Sequence, residues 1–185
     1  MDYFAIIQKY IPVDSKLYKI YIPHAVLVTQ KALAIAKALE LTAARRRFIE
    51  EAGMLHDIGI TQVYAPEIDC HGDKEYLLHG IEGKRLLEQE GLYEHALICE
   101  RHIGVGIRKS EIASRHLPLP HRDMIPQTLE EELICYADLF YSKDPEKLWV
   151  EKPLSKIRKK MAKYGSWQSE QLEAWINRFE NPVRL

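Results

Sequence analysis

Residues 42–59 read TAARRRFIEEAGMLHDIG. Thr42 is a helix-capping residue, and Phe48, Ile49, Ala52 and Leu55 recur at the three- and four-residue spacing of an amphipathic helix. Gly59 follows, where tolerance of left-handed backbone ends such a helix. The stretch therefore predicts a helix that delivers His56 and Asp57 at its end, where the loosening backbone lets adjacent side chains converge on one point. Taken alone, the pair reads more simply as a capping Asp beside a core His.

The helical period continues in both directions from this stretch. A short helix over about 2–10 stops at Pro12, Asp14 or Ser15 caps the next helical stretch, and Pro23 restarts the chain just before His24. Leu27, Ala34, Ala38 and Leu41 mark a helix of strong formers ending near Leu41. Residues 60–75 form the longest irregular stretch, a candidate lid over a site. Helices are expected again at about 76–90, 92–102 and 110–115, with a glycine-spaced turn, IGVGI, after the second. A proline-rich connector, 117–126, precedes a helix that starts with a capping box of Thr128 and Glu131 and runs to about 142. Helices near 153–164 and 167–180 finish the chain.

Strand-like alternation is scarce, and repeats, low-complexity tracts and dividing linkers are absent. The expectation is an all-α, single globular domain over 1–185, with a motif-bearing core at about 20–143 and a C-terminal helical extension at about 144–185. A chain of 185 residues is long enough to bury a continuous core. Its net charge of −1, with both signs interspersed, leaves no basic face for nucleic acid or lipid. Cys70, Cys99 and Cys135 are odd in number and contain no CxxC pair, which argues against a disulfide scaffold or a thiolate zinc site and for a reducing cytoplasm. The opening MDYFAIIQKYIP has no basic stretch or cleavage site, and no run approaches ~18 apolar residues, so neither export nor a membrane span is expected.

Six residues of ligand type lie at helix ends or on inward faces: His24, His56, Asp57, His79, His102 and Asp138. Asp138 carries the strongest single argument. Leu133, Ile134 and Ala137 put it on the apolar side of its helix, where an unpaired carboxylate is expensive and a metal ion, a buried Arg or backbone donors must meet it. Imidazole with carboxylate suits divalent transition ions better than calcium or copper(I).

In this order the residues resemble the HD superfamily of metal-dependent phosphohydrolases, and within it the HDIG type, through HDIG at 56–59. The likeness runs through PHAVLVTQKALAIAKAL, EEAGMLHDIGI, LLHGIEGKRLLEQEGL, ICERHIGVGI and QTLEEELICYADLFYSK, ending near residue 143. The resemblance implies that His24, His56, Asp57 and Asp138 hold one metal. It implies further that His79 and His102 complete a second site sharing Asp57, as in the dinuclear members, with Asp57, His79 and His102 carrying catalysis. One or two divalent ions per chain (Fe, Mn, Zn, Ni or Mg) would then acidify a water for attack on a phosphoryl group. The implied activity is hydrolysis of a phosphate ester or anhydride on a nucleotide or another small phosphorylated metabolite. Lys84, Arg85 and Arg101 lie near the ligands in sequence and are candidates to bind phosphate oxygens, though cations in such positions are more often solvated. Many HDIG proteins follow the motif with Lys or Arg, whereas this chain has Ile60, so a basic phosphate contact is missing there.

Two alternatives accompany this reading. Some dinuclear members are di-iron oxygenases, but the substrate lysine they carry near the last histidine is not identified here. A non-catalytic nucleotide-binding module would be expected to have lost ligands, and all six are present. Of the other histidines, His95 is expected at the surface, while His71, His116 and His121 stand in loops that could meet substrate. Residues 144–185, with Trp149, Trp167 and Trp175, are left either to complete the core or to form a homodimer surface.

Overall fold

The computed structural model describes residues 1–180; the last five residues of the expected C-terminal extension, 181–185, lie outside the described residues. The architecture is all-α. Helix α1 (Tyr3–Tyr10) starts at Asp2, whose carboxylate accepts from Ala5 N at 3.0 Å. Helix α2 (Lys16–Ala38) starts at Ser15, whose Oγ accepts from Tyr18 N at 3.0 Å, and α3 (Ala43–Leu55) starts at Thr42.

Pro23 does not restart the chain as expected; it lies inside α2. It leaves the Lys19 carbonyl without its helical donor, at a cost of about 3 kcal/mol for an interior proline. Burial offsets the loss: Ile20 and Tyr21 before it, and Ala25, Val28 and Ala32 after it, form one continuous buried face. Tyr21 Oη also donates to Met54 O at 2.9 Å, tying the proline turn to the end of α3.

Gly59 also works differently from expectation. Helix α3 already ends at Leu55, and Gly59 sits within a 3₁₀ turn, Ile58–Gln62, without positive φ. Its role is contact: a Cβ there would stand 2.0 Å from His79 O and 2.2 Å from Gly83 N. The glycine lets the HDIG turn press directly on the backbone of helix α4 (His79–Gln89).

Residues 60–75 are ordered rather than a free lid. They hold strands β1 (Tyr64–Ala65) and β2 (Cys70–His71), paired antiparallel in the register Tyr64 with His71, and a 3₁₀ turn, Pro66–Ile68. Val63, Ala65, Ile68 and Cys70 are buried in the same core cluster as Leu55 and Leu87, so the segment is a wall of the domain. Helices α5 (Tyr93–Arg101) and α6 (Lys109–Ser114) follow.

Helix α7 (Leu129–Asp138) is capped by Thr128 but ends four residues earlier than the apolar pattern suggests. Beyond Asp138 the chain tightens into three-residue bonds, from Phe140 N to Ala137 O and from Tyr141 N to Asp138 O. The Lys152 ammonium then takes the Leu139 and Tyr141 carbonyls. The capping box is also altered: Glu131 accepts from Gln127 N at 2.8 Å, one residue before the cap. Helices α8 (Leu154–Ala162) and α9 (Ser166–Phe179) complete the core, burying Ile157, Met161, Trp175 and Phe179 in one cluster with Tyr136 of α7. No described helix is long and apolar enough to cross a membrane.

Candidate metal centre

Four imidazoles and two carboxylates converge where α2, the end of α3, the start of α4, the end of α5 and the end of α7 meet. Three of the histidines are aimed by the same local device. His56 Nδ1 pairs with Gly53 O at 2.7 Å, His79 Nδ1 with Tyr76 O at 2.7 Å and His102 Nδ1 with Cys99 O at 2.8 Å. Each carbonyl belongs to the residue three positions earlier. A carbonyl only accepts, so Nδ1 must carry a proton, which leaves Nε2 facing inward as the nitrogen that binds an ion once it is unprotonated. His24 differs in lying mid-helix on α2, with Nε2 3.1 Å from both Asp57 Oδ2 and Asp138 Oδ1.

The ligand atoms form two groups with Asp57 common to both: His24, His56, Asp57 and Asp138, then Asp57, His79 and His102. Asp57 Oδ2 faces the first, with His56 Nε2 at 3.2 Å, and Oδ1 faces the second, with His102 Nε2 at 3.3 Å and His79 Nε2 at 3.5 Å. His79 Nε2 and His102 Nε2 are 3.1 Å apart, two lone pairs directed at one point. Atoms bound to a common ion at about 2.0–2.2 Å stand roughly 3.0–3.6 Å from one another, which matches these separations. His24 Nε2, His56 Nε2 and both Asp57 oxygens are moreover buried without a well-aligned hydrogen-bond partner. Buried polar atoms are nearly always satisfied, and ions between the two groups would satisfy these together, where the protein itself supplies only the Lys143 ammonium, on Asp57 Oδ2. The residues present fit divalent metal ions.

Charge in the protein alone is balanced by protons and one lysine. Burial opposes the charge on Asp57, yet Lys143, His56, His102 and His24 outweigh it and hold the carboxyl well below its ordinary value. Asp138 is held down in the same way, against burial, by His24, His56 and Lys143. Burial pushes the His56 imidazole down, but Asp57 and Asp138 override it and raise the group to about 10. His79 is driven down to about 3, first by burial and then by His102, and so stands ready as a neutral ligand.

The other sequence candidates lie elsewhere. Lys84 pairs with Glu100 at 3.0 Å, Arg85 with Glu82 at 2.9 Å, and Arg101 with both Glu131 oxygens at 2.9 and 3.1 Å. The last pair ties α5 to α7 and so fixes His102 relative to Asp138. His95 is buried, correcting the surface expectation: it packs on Phe48 with Nε2 3.6 Å from Glu51, because α5 turns it toward α3 and not toward water. His71, His116 and His121 are exposed and away from the cluster.

The residue that sequence reasoning missed is Lys143. Its Nζ is 2.6 Å from Asp57 Oδ2 and its side chain is nearly buried. The available signal was its place five residues after Asp138, just past a helix end, in a chain whose Ile60 leaves the motif without a base. Ile60 is fully buried and Lys143 reaches Asp57 from another element. Tyr76, whose ring lies 4.9 Å from that of His79, was also missed.

The HD domain family matches residues 21–142, a segment that contains all six clustered residues. An uncharacterized protein of Methanocaldococcus jannaschii is 32% identical over 147 residues, covering 77% of this chain and 78% of that protein. Two tRNA (cytidine(56)-2'-O)-methyltransferases are also similar. That of Thermoplasma volcanium is 32% identical over 75% of this chain and 36% of its own length, and that of Picrophilus torridus is 30% identical over 74% and 38%. This chain thus spans little more than a third of either methyltransferase. No solved structure matches. The family match takes in the larger part of the sequence together with the whole cluster, and the chain belongs to the HD domain family.

Proposed function

We propose that this protein is a metal-dependent phosphohydrolase acting on a nucleotide or another small phosphorylated metabolite, with one ion in each ligand group. One observation carries the reading. The two groups open on a cavity of about 240 Å³ whose wall beyond His79, His102 and Asp138 is uncharged except for three lysines, Lys143, Lys152 and Lys160, with Tyr76, Tyr141 and Ser142 beside them. Lys143 is paired with Asp57, whereas Lys152 and Lys160 form no ion pair with a carboxylate among the described residues. Burial, then the neighbouring Lys160, Lys143 and Lys156, depress Lys152 to about 8 despite the pull of Asp138. A multiply charged anion in the cavity relieves that repulsion, and a phosphoryl group is the anion whose oxygens suit both lysines and divalent ions.

Bound ions would lower the pKa of a water and neutralise charge developing on the phosphoryl group. The protein's own groups do the rest. The Nδ1 bonds of His56, His79 and His102 fix the ring orientations before any ion arrives, so that binding costs His56 a proton and not a rotation. Lys143 sits where an ion's charge is needed and can turn to a phosphoryl oxygen when that charge is supplied. Tyr76, raised above its usual value first by burial, keeps a hydroxyl proton to donate into the cavity.

The methyl transfer named for the Thermoplasma volcanium and Picrophilus torridus relatives is not part of the reading, because nearly two-thirds of each of those two proteins lies outside the shared segment. The test is turnover by metal-loaded protein on a panel of nucleoside mono- and diphosphates, dinucleoside polyphosphates and sugar phosphates, in oxygen-free buffer containing isotopically labelled water. Expected is phosphate or nucleotide release with label entering the phosphoryl product. A requirement for dissolved oxygen, or no turnover of any member, would overturn the reading.

A further inference from the structure

A second cavity, of about 260 Å³, adjoins the cationic one and shares Ile103, Gly104 and Lys160 with it. Neither volume alone reaches the roughly 300–1,000 Å³ of ordinary ligand pockets; joined, they do. At the junction Gly104 holds φ +63°, and a Cβ built on it meets nothing within 4 Å. The backbone there presents an opening where another residue would present a wall.

The second cavity has a different character from the first. Leu77, Val105, Ile107, Leu117 and Met161 make it apolar, and Tyr164 offers half of its surface to solvent beside it. Beyond the shared Lys160, its charged and amide groups are Glu111, Arg115 and Gln168. Gln168 Nε2 donates to Glu111 Oε1 at 2.5 Å, and the Arg115 guanidinium lies 5.7 Å from the Tyr164 ring centroid. Among the described residues no carboxylate forms an ion pair with Arg115.

We propose that this cavity seats the base of a nucleoside monophosphate whose phosphate occupies the cationic cavity. The assignment deepens the phosphohydrolase reading and rests on it for the phosphate end. Apolar walls with one aromatic side chain favour a flat ring. The Arg115 guanidinium, and the Gln168 amide oxygen beside the Glu111 pair, offer a donor and an acceptor to the edge of such a ring. Lys160, common to both cavities, lies along the path between base and phosphate. Met161, Tyr164 and Gln168 come from α8, α9 and the turn between them, beyond residues 21–142 matched by the family, so the C-terminal extension supplies the aromatic side of the pocket and the family core supplies Glu111 and Arg115.

The experiment is calorimetric titration of the metal-loaded protein with adenosine, guanosine, cytidine and uridine, and separately with inorganic phosphate. The unmodified protein, Tyr164→Ala and Tyr164→Phe are compared. At least one nucleoside should bind, Tyr164→Ala should weaken it tenfold or more, Tyr164→Phe should restore most of the affinity, and phosphate should bind all three proteins alike. No binding of any nucleoside, or an affinity indifferent to Tyr164→Ala, would overturn the proposal even if phosphate esters are hydrolysed. Nucleoside binding that depends on Tyr164, in a protein that hydrolyses no phosphate ester, would leave the pocket standing and remove the hydrolase reading instead.

Discussion

Lys143 Nζ stands 2.6 Å from Asp57 Oδ2, on the carboxylate common to both ligand groups. A lysine there does in the protein alone what an ion does in the loaded site, and it must give way when the ion binds. Metal affinity is therefore a competition among the ion, the Lys143 ammonium and the proton on His56, and it should strengthen as pH rises.

Lys143→Gln should consequently keep its full metal content, because a competitor has been removed, while hydrolysis slows. A hydrogen bond from a charged group contributes about 1.5–3 kcal/mol, so the expected loss in kcat/KM is roughly 10- to 150-fold. Phosphate-release kinetics with elemental analysis of the same sample decide it. An unchanged rate would remove Lys143 from substrate contact.

Gly59→Ala should be disproportionately harmful for the addition of one methyl group. The new Cβ would meet backbone atoms of His79 and Gly83, so α4 must move and carry His79 with it. Overpacking of this kind costs about 1–3 kcal/mol or more. A fall in the thermal midpoint together with reduced metal content is expected; a variant with native stability and native metal content would contradict the contact.

His95 supplies a pH test away from the centre. Burial, opposed by Glu51, holds its imidazole below the ordinary 6.5. Below that pH the unfolded chain binds a proton that the folded chain resists, so the stability His95 contributes is full above about 6.5 and is lost as pH falls through the folded value. Urea midpoints should drop between pH 7 and pH 5, and His95→Gln should drop less. Equal drops would place the acid sensitivity elsewhere.

Much of this architecture is readable before any coordinates. Ser15, Thr42 and Thr128 cap helices because capping is local chemistry, visible over four residues. The six clustered residues are legible for a similar reason, since helix ends and apolar faces direct side chains predictably. What escaped depends on tertiary contact. Pro23 reads as a break until a buried face on both sides outweighs it, and Gly59 reads as a cap because its neighbour in α4 is twenty residues away in sequence. Lys143 reads as a solvated charge because nothing local reveals that the turn after Asp138 folds it back onto Asp57. The role of α8 and α9 was open for the same reason: their apolar faces do not state that Tyr136 is the partner.

The central claim is that Asp57 joins two ion sites, with His79 and His102 serving only the second. Metal content per chain, measured by elemental analysis on the unmodified protein and on His79→Ala after identical loading, tests it most directly. Two ions per chain falling to one, with the helical circular dichroism unchanged, is the predicted result. Equal metal content in the two proteins would contradict the shared-carboxylate arrangement.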